Sequence, residues 1–515
     1  MNSIIADGFI IKNNYFFAMS KVALRTAILV IVVLYSNLLF SQPETIESWI
    51  TNPDRSALFE KQPEVVSFSE NNSGRGSTII IDDSHRMQTV DGFGFALTGG
   101  SAELLMKMST TERAKTLKEL FARDDKNIGV SYLRLTIGAS DLNSFVFSYN
   151  DLQKGETDPE LKKFSLAQDI KDVIPVMKEI LAIDPEIKIL GSPWSAPAWM
   201  KTNNNVRGGR LKAEYYETYA LYFVKYIQAM KSLGIAIDAI TIQNEPVNSR
   251  NTPSMTWFEN EQAEFIKNNL GPAFEQAGIK TKIILFDHNG DRPDYPLSML
   301  NDPAVAKYAD GSGFHNYVGD IAAALSLMHA ARPDKNLYFT EQMVVERPGS
   351  REINIASPVK NLIIKTTQNW SRNVILWNLA ADPLNDPHTD NGGCTMCQGA
   401  ITIDGDVVTR NLAWYTVAHA SKFVRPGSVR IGSTNRGDKT IGIYEDEQRP
   451  GVFRTAVIED MEILPNVAFR TPEGKIVVIV VNDTYSANSF MIQWKGKYAA
   501  IRLDPGAAGT FVWQG

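Results

Sequence analysis

The segment Ala239-Ile240-Thr241-Ile242-Gln243-Asn244-Glu245-Pro246 is a short apolar run that ends in a carboxylate. Similar short runs recur between residues 90 and 379, and stretches with helical spacing separate them. Short apolar runs that alternate with amphipathic helices are typical of parallel strands buried on both faces. The predicted strands are Val90–Leu97, Tyr132–Gly138, Lys188–Trp194, Ala239–Glu245, Lys282–His288, Gly313–Tyr317, Leu337–Glu341 and Val374–Leu379.

Eight such βα units match a closed (β/α)8 barrel with loop insertions. The alternative is an open, doubly wound sheet, which usually carries a phosphate-binding turn with three glycines. The nearest candidate, Gly92-Phe93-Gly94-Phe95-Ala96-Leu97, has no third glycine. We therefore predict an α/β fold in which residues 87–420 form a (β/α)8 TIM barrel.

The pattern changes after residue 420 to short strands separated by turn residues. Lys475–Asn482 and Phe490–Trp494 are examples, and no helical spacing is evident among them. This pattern predicts an attached all-β sandwich over residues 421–515. The segment 42–86, which contains the apolar run Thr78–Ile81, is expected to add strands to the same module.

Residues 1–41 have the pattern of a secretory signal peptide. Lys21 and Arg25 precede an apolar run that extends to Phe40, and the small residue Ser41 follows. The run is short for a membrane span, although an uncleaved anchor is the alternative interpretation. Met19 is a possible true start. We expect export to the periplasm or the extracellular space, with no stable membrane insertion after the signal is cleaved.

Charge and cysteine content narrow the function classes. The net charge is −6 and no run is rich in Lys or Arg, which disfavours nucleic-acid binding. Cys394 and Cys397 are the two cysteines of the chain. In a cytosolic protein this spacing would suggest redox chemistry or half a zinc site. The export signal implies an oxidising compartment, so we predict a local structural disulfide.

Two of the predicted strands end in glutamate, Glu245 on the fourth and Glu341 on the seventh. In a barrel of this type the chemistry lies at the C-terminal ends of the strands. Three βα units separate the two residues, which places them across the barrel mouth. Glycoside hydrolysis uses two carboxyl groups that flank the scissile bond, and Asn244 could donate a hydrogen bond to the sugar 2-hydroxyl.

Four motifs carry a resemblance to a known family. They are Asp91-Gly92-Phe93-Gly94, the stretch SPWSAPAWMKTN at residues 192–203, Gln243-Asn244-Glu245-Pro246 and Trp377-Asn378-Leu379-Ala380. Together they resemble glycoside hydrolase family 30, which contains acid β-glucosidase (glucosylceramidase) and bacterial endo-β-1,6-glucanases. The resemblance covers residues 87–515 and implies a retaining mechanism on a barrel with a side β-sandwich.

The resemblance also implies roles for individual residues. Glu245 corresponds to the acid/base of the family and Glu341 to its nucleophile. Two segments depart from the family pattern, Gly94-Phe95-Ala96 and Thr340-Glu341-Gln342-Met343, and neither removes a catalytic group. The implied glycone-binding residues are Arg134, Asp141, Trp194, Asn244, Tyr317 and Trp377.

Several alternatives stay open at this level. Trp194 and Trp377 could be packing residues, and Arg134 could form a structural ion pair with Glu341 or Asp141. His288 and His315 could suggest a metal site. The chain lacks a His-x-x-x-His motif and a carboxylate cluster at ligand spacing, so we expect no metal and no cofactor.

The competing functions belong to different classes. A glycan-binding protein on an inactive barrel is one, and an inverting hydrolase or an esterase is another. No Gly-x-Ser-x-Gly motif occurs, which argues against a serine triad. We expect a β-linked glucan or glucoside as the substrate, with β-1,6-glucan favoured over simple β-glucosides, glucosylceramide and β-xylan.

Overall fold

The computed structural model describes residues 44–71, 77–124, 126–347, 349–434, 440–445, 448–458 and 464–515. The predicted signal peptide at residues 1–41 lies outside these residues. Residues 46–515 form one compact unit. Among the described residues, no helix is both long enough and apolar enough to cross a membrane.

Four strands precede the barrel. They are β1 (Thr45–Thr51), β2 (Leu58–Lys61), β3 (Val66–Ser67) and β4 (Thr78–Thr89). β4 is longer than the run Thr78–Ile81 that the sequence pattern indicates. It continues to Thr89 through mostly polar and charged residues that are half-buried or exposed, and this part carries little apolar signal.

Eight parallel strands follow and close into a barrel, which confirms the predicted fold class. Each strand pairs with its neighbour in the chain, and the eighth pairs with the first. The strands are β5 (Gly92–Leu97), β6 (Tyr132–Thr136), β7 (Lys188–Ser192), β8 (Ala239–Thr241), β9 (Lys282–Asn289), β10 (Ala309–His315), β11 (Asn336–Glu341) and β12 (Ser371–Leu376).

The barrel strands are apolar on both faces because both faces are buried. All six residues of β5 are buried, with Phe93 and Phe95 wholly inaccessible. Gly94 alternates with them at a point where strands approach closely. A Cβ atom at this position would lie 1.9 Å from the carbonyl oxygen of Tyr132, so the barrel wall requires glycine here.

The helices pack on the outside of the barrel. The segment Thr110–Phe121 is helical, and the Ser109 side chain caps it by accepting from the backbone N–H of Glu112. Two segments of π-helix occur among the described residues, at Ile266–Leu270 and Val359–Ile364. The other α-helices of six or more residues in the described part of the chain are Gly99–Lys107, Val173–Ile183, Tyr216–Ser232, Glu259–Phe265, Gly271–Gln276, Asp294–Leu300, Ile321–Ala331 and Leu412–Ser421.

The fourth barrel strand ends earlier than its apolar run suggests. β8 stops at Thr241, and the following residues turn into the barrel mouth. The backbone N–H of Asn244 donates to the carbonyl of Pro193 at 2.8 Å, and that of Glu245 donates to the carbonyl of Asp287 at 3.0 Å. Glu245 has a left-handed backbone with φ of 45°. The cross-strand hydrogen bonds therefore hold Glu245 in a conformation that strand geometry does not provide.

The remaining strands form the β-rich part of the structure. β13 (Ala380–Ala381), β14 (Ile401–Asp404) and β15 (Val407–Arg410) make a small sheet beside the barrel. The strands of the C-terminal module are β16 (Val429–Ser433), β17 (Thr440–Glu445), β18 (Phe453–Ile458), β19 (Asn466–Arg470), β20 (Lys475–Val481), β21 (Asn488–Trp494), β22 (Lys497–Leu503) and β23 (Ala508–Gln514).

The four N-terminal strands and most of the C-terminal strands share one sheet, in the order β2-β1-β23-β20-β19-β16-β4-β21-β22, with β3 paired to β1. β17 and β18 pair with each other in a two-stranded sheet. A separate core that includes Trp494 and Trp513 supports it. The buried imidazole of His419, on the last barrel helix, forms hydrogen bonds of 2.9 Å with the hydroxyls of Thr51 and Thr510. These contacts tie the sheet to the last barrel helix.

Candidate active site

The C-terminal ends of the barrel strands bring the predicted site residues together around Arg134. This residue lies on β6 and is wholly buried. Its Nη1 donates to Oε2 of Glu341, the last residue of β11, at 2.5 Å. Its Nη2 donates to Oδ1 of Asn244 at 2.7 Å. The sequence alternative of an ion pair with Glu341 is thus present.

A second carboxylate completes the surroundings of Arg134. Nη2 of Arg134 also lies 2.9 Å from Oδ2 of Asp287, which accepts hydrogen bonds from the Ser192 and Thr241 hydroxyls. Burial by itself lowers the pKa of Arg134, but the charges of Asp287 and Glu341 outweigh it and raise the pKa. Arg134 is therefore a permanent buried cation between two strand-end carboxylates.

Glu245 lies opposite Glu341 and is almost wholly buried. Its Oε2 accepts from Nδ2 of Asn248 at 2.7 Å, and its Oε1 lies 3.2 Å from Nδ1 of His315. Nδ1 of His288 is 3.6 Å from the same oxygen. Burial raises the pKa of Glu245, but His315 above all, then His288, outweighs it and lowers the pKa to about 2.

His315 at the end of β10 connects the two glutamates. Its Nδ1 lies 3.2 Å from Glu245 and 3.8 Å from Oε1 of Glu341. Its Nε2 lies 3.0 Å from Oδ1 of Asp287, which also accepts from the Thr340 hydroxyl. Burial lowers the pKa of His315, but the charge of Glu341 and the hydrogen bonds with Asp287 and Glu245 raise it to about 9.

Both oxygens of Glu341 accept hydrogen bonds. Tyr317 donates its hydroxyl to Oε1 at 3.1 Å, while Arg134 binds Oε2. The Tyr317 hydroxyl oxygen itself accepts from the backbone N–H of Met343 at 3.0 Å, which fixes its direction. Burial raises the pKa of Glu341, and the positive charges of His315 and Arg134 offset this only in part.

The resting site thus favours charge on Glu245 and disfavours it on Glu341. The hydrogen-bond donors favour the opposite distribution of charge. Arg134 and Tyr317 donate to Glu341, whereas Glu245 faces an imidazole that can also accept a proton. A proton at the 3.2 Å contact between Glu245 and His315 can reside on either side chain. Its position decides whether Glu245 is charged, so the two side chains titrate as a unit.

Trp194 and Trp377 stack on each other beneath Arg134. Their ring centroids are 5.1 Å apart, and the Arg134 guanidinium lies 4.7 Å from the Trp194 ring and 5.7 Å from the Trp377 ring. Each tryptophan is only 2% exposed. Most of the area of both rings is therefore used in packing, as one of the sequence interpretations proposes, and only a small part faces the cleft.

The predicted disulfide is present and packs against this pair. Cys394 and Cys397 are bonded, with Cα atoms 5.5 Å apart. Cys397 is 3% exposed and belongs to the same apolar cluster as Trp194 and Trp377. The disulfide therefore supports the floor of the site as well as the loop that follows β12.

Asp141 also lies at this end of the barrel and is buried. Its carbonyl accepts from the backbone N–H of Thr389, which anchors the loop after β12. Burial, together with the charges of Glu341 and Glu245, raises the pKa of Asp141 well above its ordinary value. This shift favours the neutral form of the Asp141 carboxyl, and a neutral carboxyl can donate a hydrogen bond.

All eight predicted residues therefore lie in one region, but sequence reasoning missed part of the network. Asp287 was given no role, although it contacts both Arg134 and His315. Asn248 and the contact of His315 with Glu245 were also missed. Their strand-end position was the one available signal, since Asp287 and His315 belong to the ends of β9 and β10.

Comparisons with known proteins agree with this geometry. Residues 90–424 match the glycosyl hydrolase family 30 TIM-barrel domain, and residues 427–511 match the beta sandwich domain of the same family. The chain is 36% identical over 385 residues to an endo-1,6-beta-D-glucanase of Aspergillus fumigatus, covering 70% of this chain and 77% of that protein.

Two further relatives extend the comparison. The lysosomal acid glucosylceramidase of Mus musculus is 27% identical over 480 residues, covering 87% of this chain and 86% of that protein. The solved structure of the endo-beta1,6-glucanase BT3312 has a TM-score of 0.79 and 30% identity, covering 91% of this chain and 99% of that one. With two carboxylates at barrel strand ends and both family domains matched, the chain belongs to glycoside hydrolase family 30 and is a glycoside hydrolase.

Proposed function

We propose that the chain is an exported, retaining β-glycoside hydrolase that cleaves β-1,6-glucan by double displacement. Glu341 attacks the anomeric carbon, while Glu245 protonates the leaving oxygen and later activates water. The observation that carries this proposal is the convergence of both carboxylates on Nδ1 of His315, at 3.2 and 3.8 Å.

The spacing of the two carboxylates supports retention. Because their oxygens share one nitrogen neighbour, the sum of the two distances limits their separation to about 7 Å. Retaining glycosidases have carboxyl groups about 5–5.5 Å apart, whereas inverting enzymes need about 6.5–9.5 Å to admit a water molecule. The limit of about 7 Å between the two Oε1 atoms is compatible with the retaining spacing.

The donors of each carboxylate support the assignment of roles. Glu341 accepts from Arg134 and Tyr317, and such donors stabilise the anion that attacks carbon. Glu245 instead faces His315, which can pass a proton to it across 3.2 Å. A group that gains and loses a proton within one turnover needs a partner of this kind.

The neighbouring residues are placed to hold the sugar. Oδ1 of Asn244 accepts from Arg134, so the Asn244 amide N–H groups remain to donate to a sugar 2-hydroxyl. Asp141, whose pKa burial raises well above its ordinary value, can donate to another hydroxyl when its carboxyl is neutral. In this proposal the glycone is bound by Arg134, Asp141, Trp194, Asn244, Tyr317 and Trp377.

The choice of substrate rests on the relatives. The fungal endo-1,6-β-glucanase is more similar to this chain than the mouse glucosylceramidase is. The loop after β12 also carries the polar run Asn385-Asp386-Pro387-His388-Thr389-Asp390-Asn391. A polar rim favours a polysaccharide. Export is supported by the pattern of residues 1–41, and N-terminal sequencing of protein recovered outside the cytoplasm would test it.

A second candidate is a β-glucoside with an apolar aglycone, such as glucosylceramide. The same loop exposes Leu384 and Met396, by 76% and 56%. Initial rates on pustulan (a β-1,6-glucan), an aryl β-glucoside, glucosylceramide and xylan separate the two. Turnover of pustulan to short gentio-oligosaccharides is expected. Rapid turnover of glucosylceramide with pustulan untouched would refute the β-1,6-glucan proposal.

A further inference from the structure

Three side chains at the barrel mouth form a cluster with the donor atoms of a transition-metal site. Glu245, His288 and His315 each offer one ligand atom, and these atoms all lie within 4.8 Å of one another. Two imidazole nitrogens and one carboxylate oxygen form a donor set that suits zinc, copper and nickel rather than magnesium or calcium.

The Nδ1 atoms of His288 and His315 both face Oε1 of Glu245. Nδ1 of His288 is buried and has no hydrogen-bond partner among the described residues, and the residue is 7% exposed. His315 can donate its Nε2 proton to Asp287 at 3.0 Å, which leaves the lone pair on Nδ1. A carboxylate behind the distal nitrogen of a ligating histidine is the common arrangement in zinc proteins.

Two of the ligand-atom distances are close to those around a zinc ion. Oε1 of Glu245 lies 3.2 Å from Nδ1 of His315 and 3.6 Å from Nδ1 of His288. Ligand atoms around tetrahedral zinc are about 3.3 Å apart when each bond is about 2.0–2.1 Å. The third distance, between the two histidines, is within 4.8 Å, so the imidazoles need to move toward each other only if it exceeds the zinc spacing.

The local charge also favours a dication. The carboxylates of Glu341 and Asp287 contact Arg134, and His315 contacts the carboxylates of Glu245 and Asp287. An ion bound to Glu245 therefore lies in a region with more carboxylate groups than guanidinium groups.

We propose that Zn²⁺ binds Glu245, His288 and His315 and reversibly inhibits the enzyme. The ion occupies the oxygen of Glu245 that has to donate a proton to the leaving group, so turnover stops while the ion is bound. The site is inhibitory and is distinct from a resident cofactor, since hydrolysis by two carboxyl groups needs no metal. The inhibition rests on the acid/base role proposed for Glu245, whereas the binding of zinc does not.

The test compares zinc binding and zinc inhibition in matched variants. EDTA-treated enzyme is freed of chelator, and zinc binding is measured by equilibrium dialysis alongside initial rates on pustulan and an aryl β-glucoside. His288→Gln removes one ligand, and Glu245→Gln removes another for the binding measurement. His388→Gln is the control, because His388 pairs with Asp386 on the loop outside the cluster.

We expect one zinc ion per chain and inhibition that EDTA reverses. His288→Gln should raise both the dissociation constant for zinc and the inhibition constant at least tenfold. Each rate is normalised to that of the same variant without zinc. His388→Gln should change neither, and Mg²⁺ should not inhibit. Circular dichroism verifies that each variant is folded.

Equal zinc affinity in the wild type and His288→Gln would overturn the site. Zinc bound through His288 without loss of activity would overturn the inhibition. If the wild type binds zinc through His288 but hydrolyses no glycoside in EDTA, the proposed function fails while the metal site stands.

Discussion

Nδ1 of His315 lies 3.2 Å from Oε1 of Glu245, and its Nε2 lies 3.0 Å from Oδ1 of Asp287. Burial lowers the pKa of His315, but the charge of Glu341 and the hydrogen bonds with Asp287 and Glu245 raise it to about 9, which favours the protonated imidazole at neutral pH. Burial raises the pKa of Glu341, and in the proposed mechanism this group attacks as the anion. The proposed mechanism therefore needs a proton on the His315–Glu245 pair and none on Glu341.

This relationship predicts a bell-shaped pH profile. In EDTA, kcat/KM should rise as the pH rises through the pKa of Glu341, which lies above the ordinary 4.5. It should fall as the pH rises through about 9, where His315 loses its proton and can no longer supply one to Glu245. His315→Asn should move the alkaline limb, while His388→Gln should not. If the alkaline limb of His315→Asn is identical to that of the wild type, His315 takes no part in proton transfer.

The second prediction concerns stereochemistry. With carboxylates that share one neighbouring nitrogen, we expect a covalent intermediate and a product that keeps the β configuration. Proton NMR of the first-formed sugar measures this directly. An α-anomer that appears first would mean that water attacks in a single displacement, and Glu341 would then be a base.

The third prediction separates the two glutamates. Glu341→Gly should abolish turnover, and azide should restore part of it as an α-glycosyl azide, because azide replaces the missing nucleophile. Glu245→Ala should spare substrates with good leaving groups, which need less protonation, and azide should then give the β-product. The opposite pattern of products would show that the two roles are exchanged.

The fourth prediction concerns the buried ion network. Arg134→Met leaves Glu341 and Asp287 without their cation, so we expect a loss of about 3–5 kcal/mol in the free energy of unfolding. Arg292→Met removes an exposed pair with Asp294 and should cost about 1 kcal/mol or less. Chemical denaturation measures both. Equal small losses would mean that the buried network adds little stability.

The fifth prediction concerns the disulfide. Free-thiol titration of the denatured, unreduced protein should find no thiol. Replacing both Cys394 and Cys397 by serine should cost about 2 kcal/mol or less through loop entropy, because the closed ring is small. It should also raise KM, since Cys397 packs against Trp194 and Trp377. An unchanged KM would show that the disulfide does not affect substrate binding through the floor of the site.

The barrel strands could be predicted because parallel strands that are buried on both faces have continuous apolar runs in the sequence. The positions of Glu245 and Glu341 followed from where those runs end, and the motif at residues 192–203 indicated the family. These signals are local in the chain. They can be recognised in the sequence because each depends on a few neighbouring residues.

The contacts of the site could not be obtained in this way. Asp287 meets Arg134, and His315 meets Glu245, only after the barrel closes and brings distant strand ends together. The left-handed turn at Glu245 depends on a hydrogen bond to the backbone of Asp287. The sequence by itself therefore determined the barrel and its two carboxylates. Tertiary structure alone decided their proton partner, because charge and hydrogen bonding in a buried site depend on distance in space.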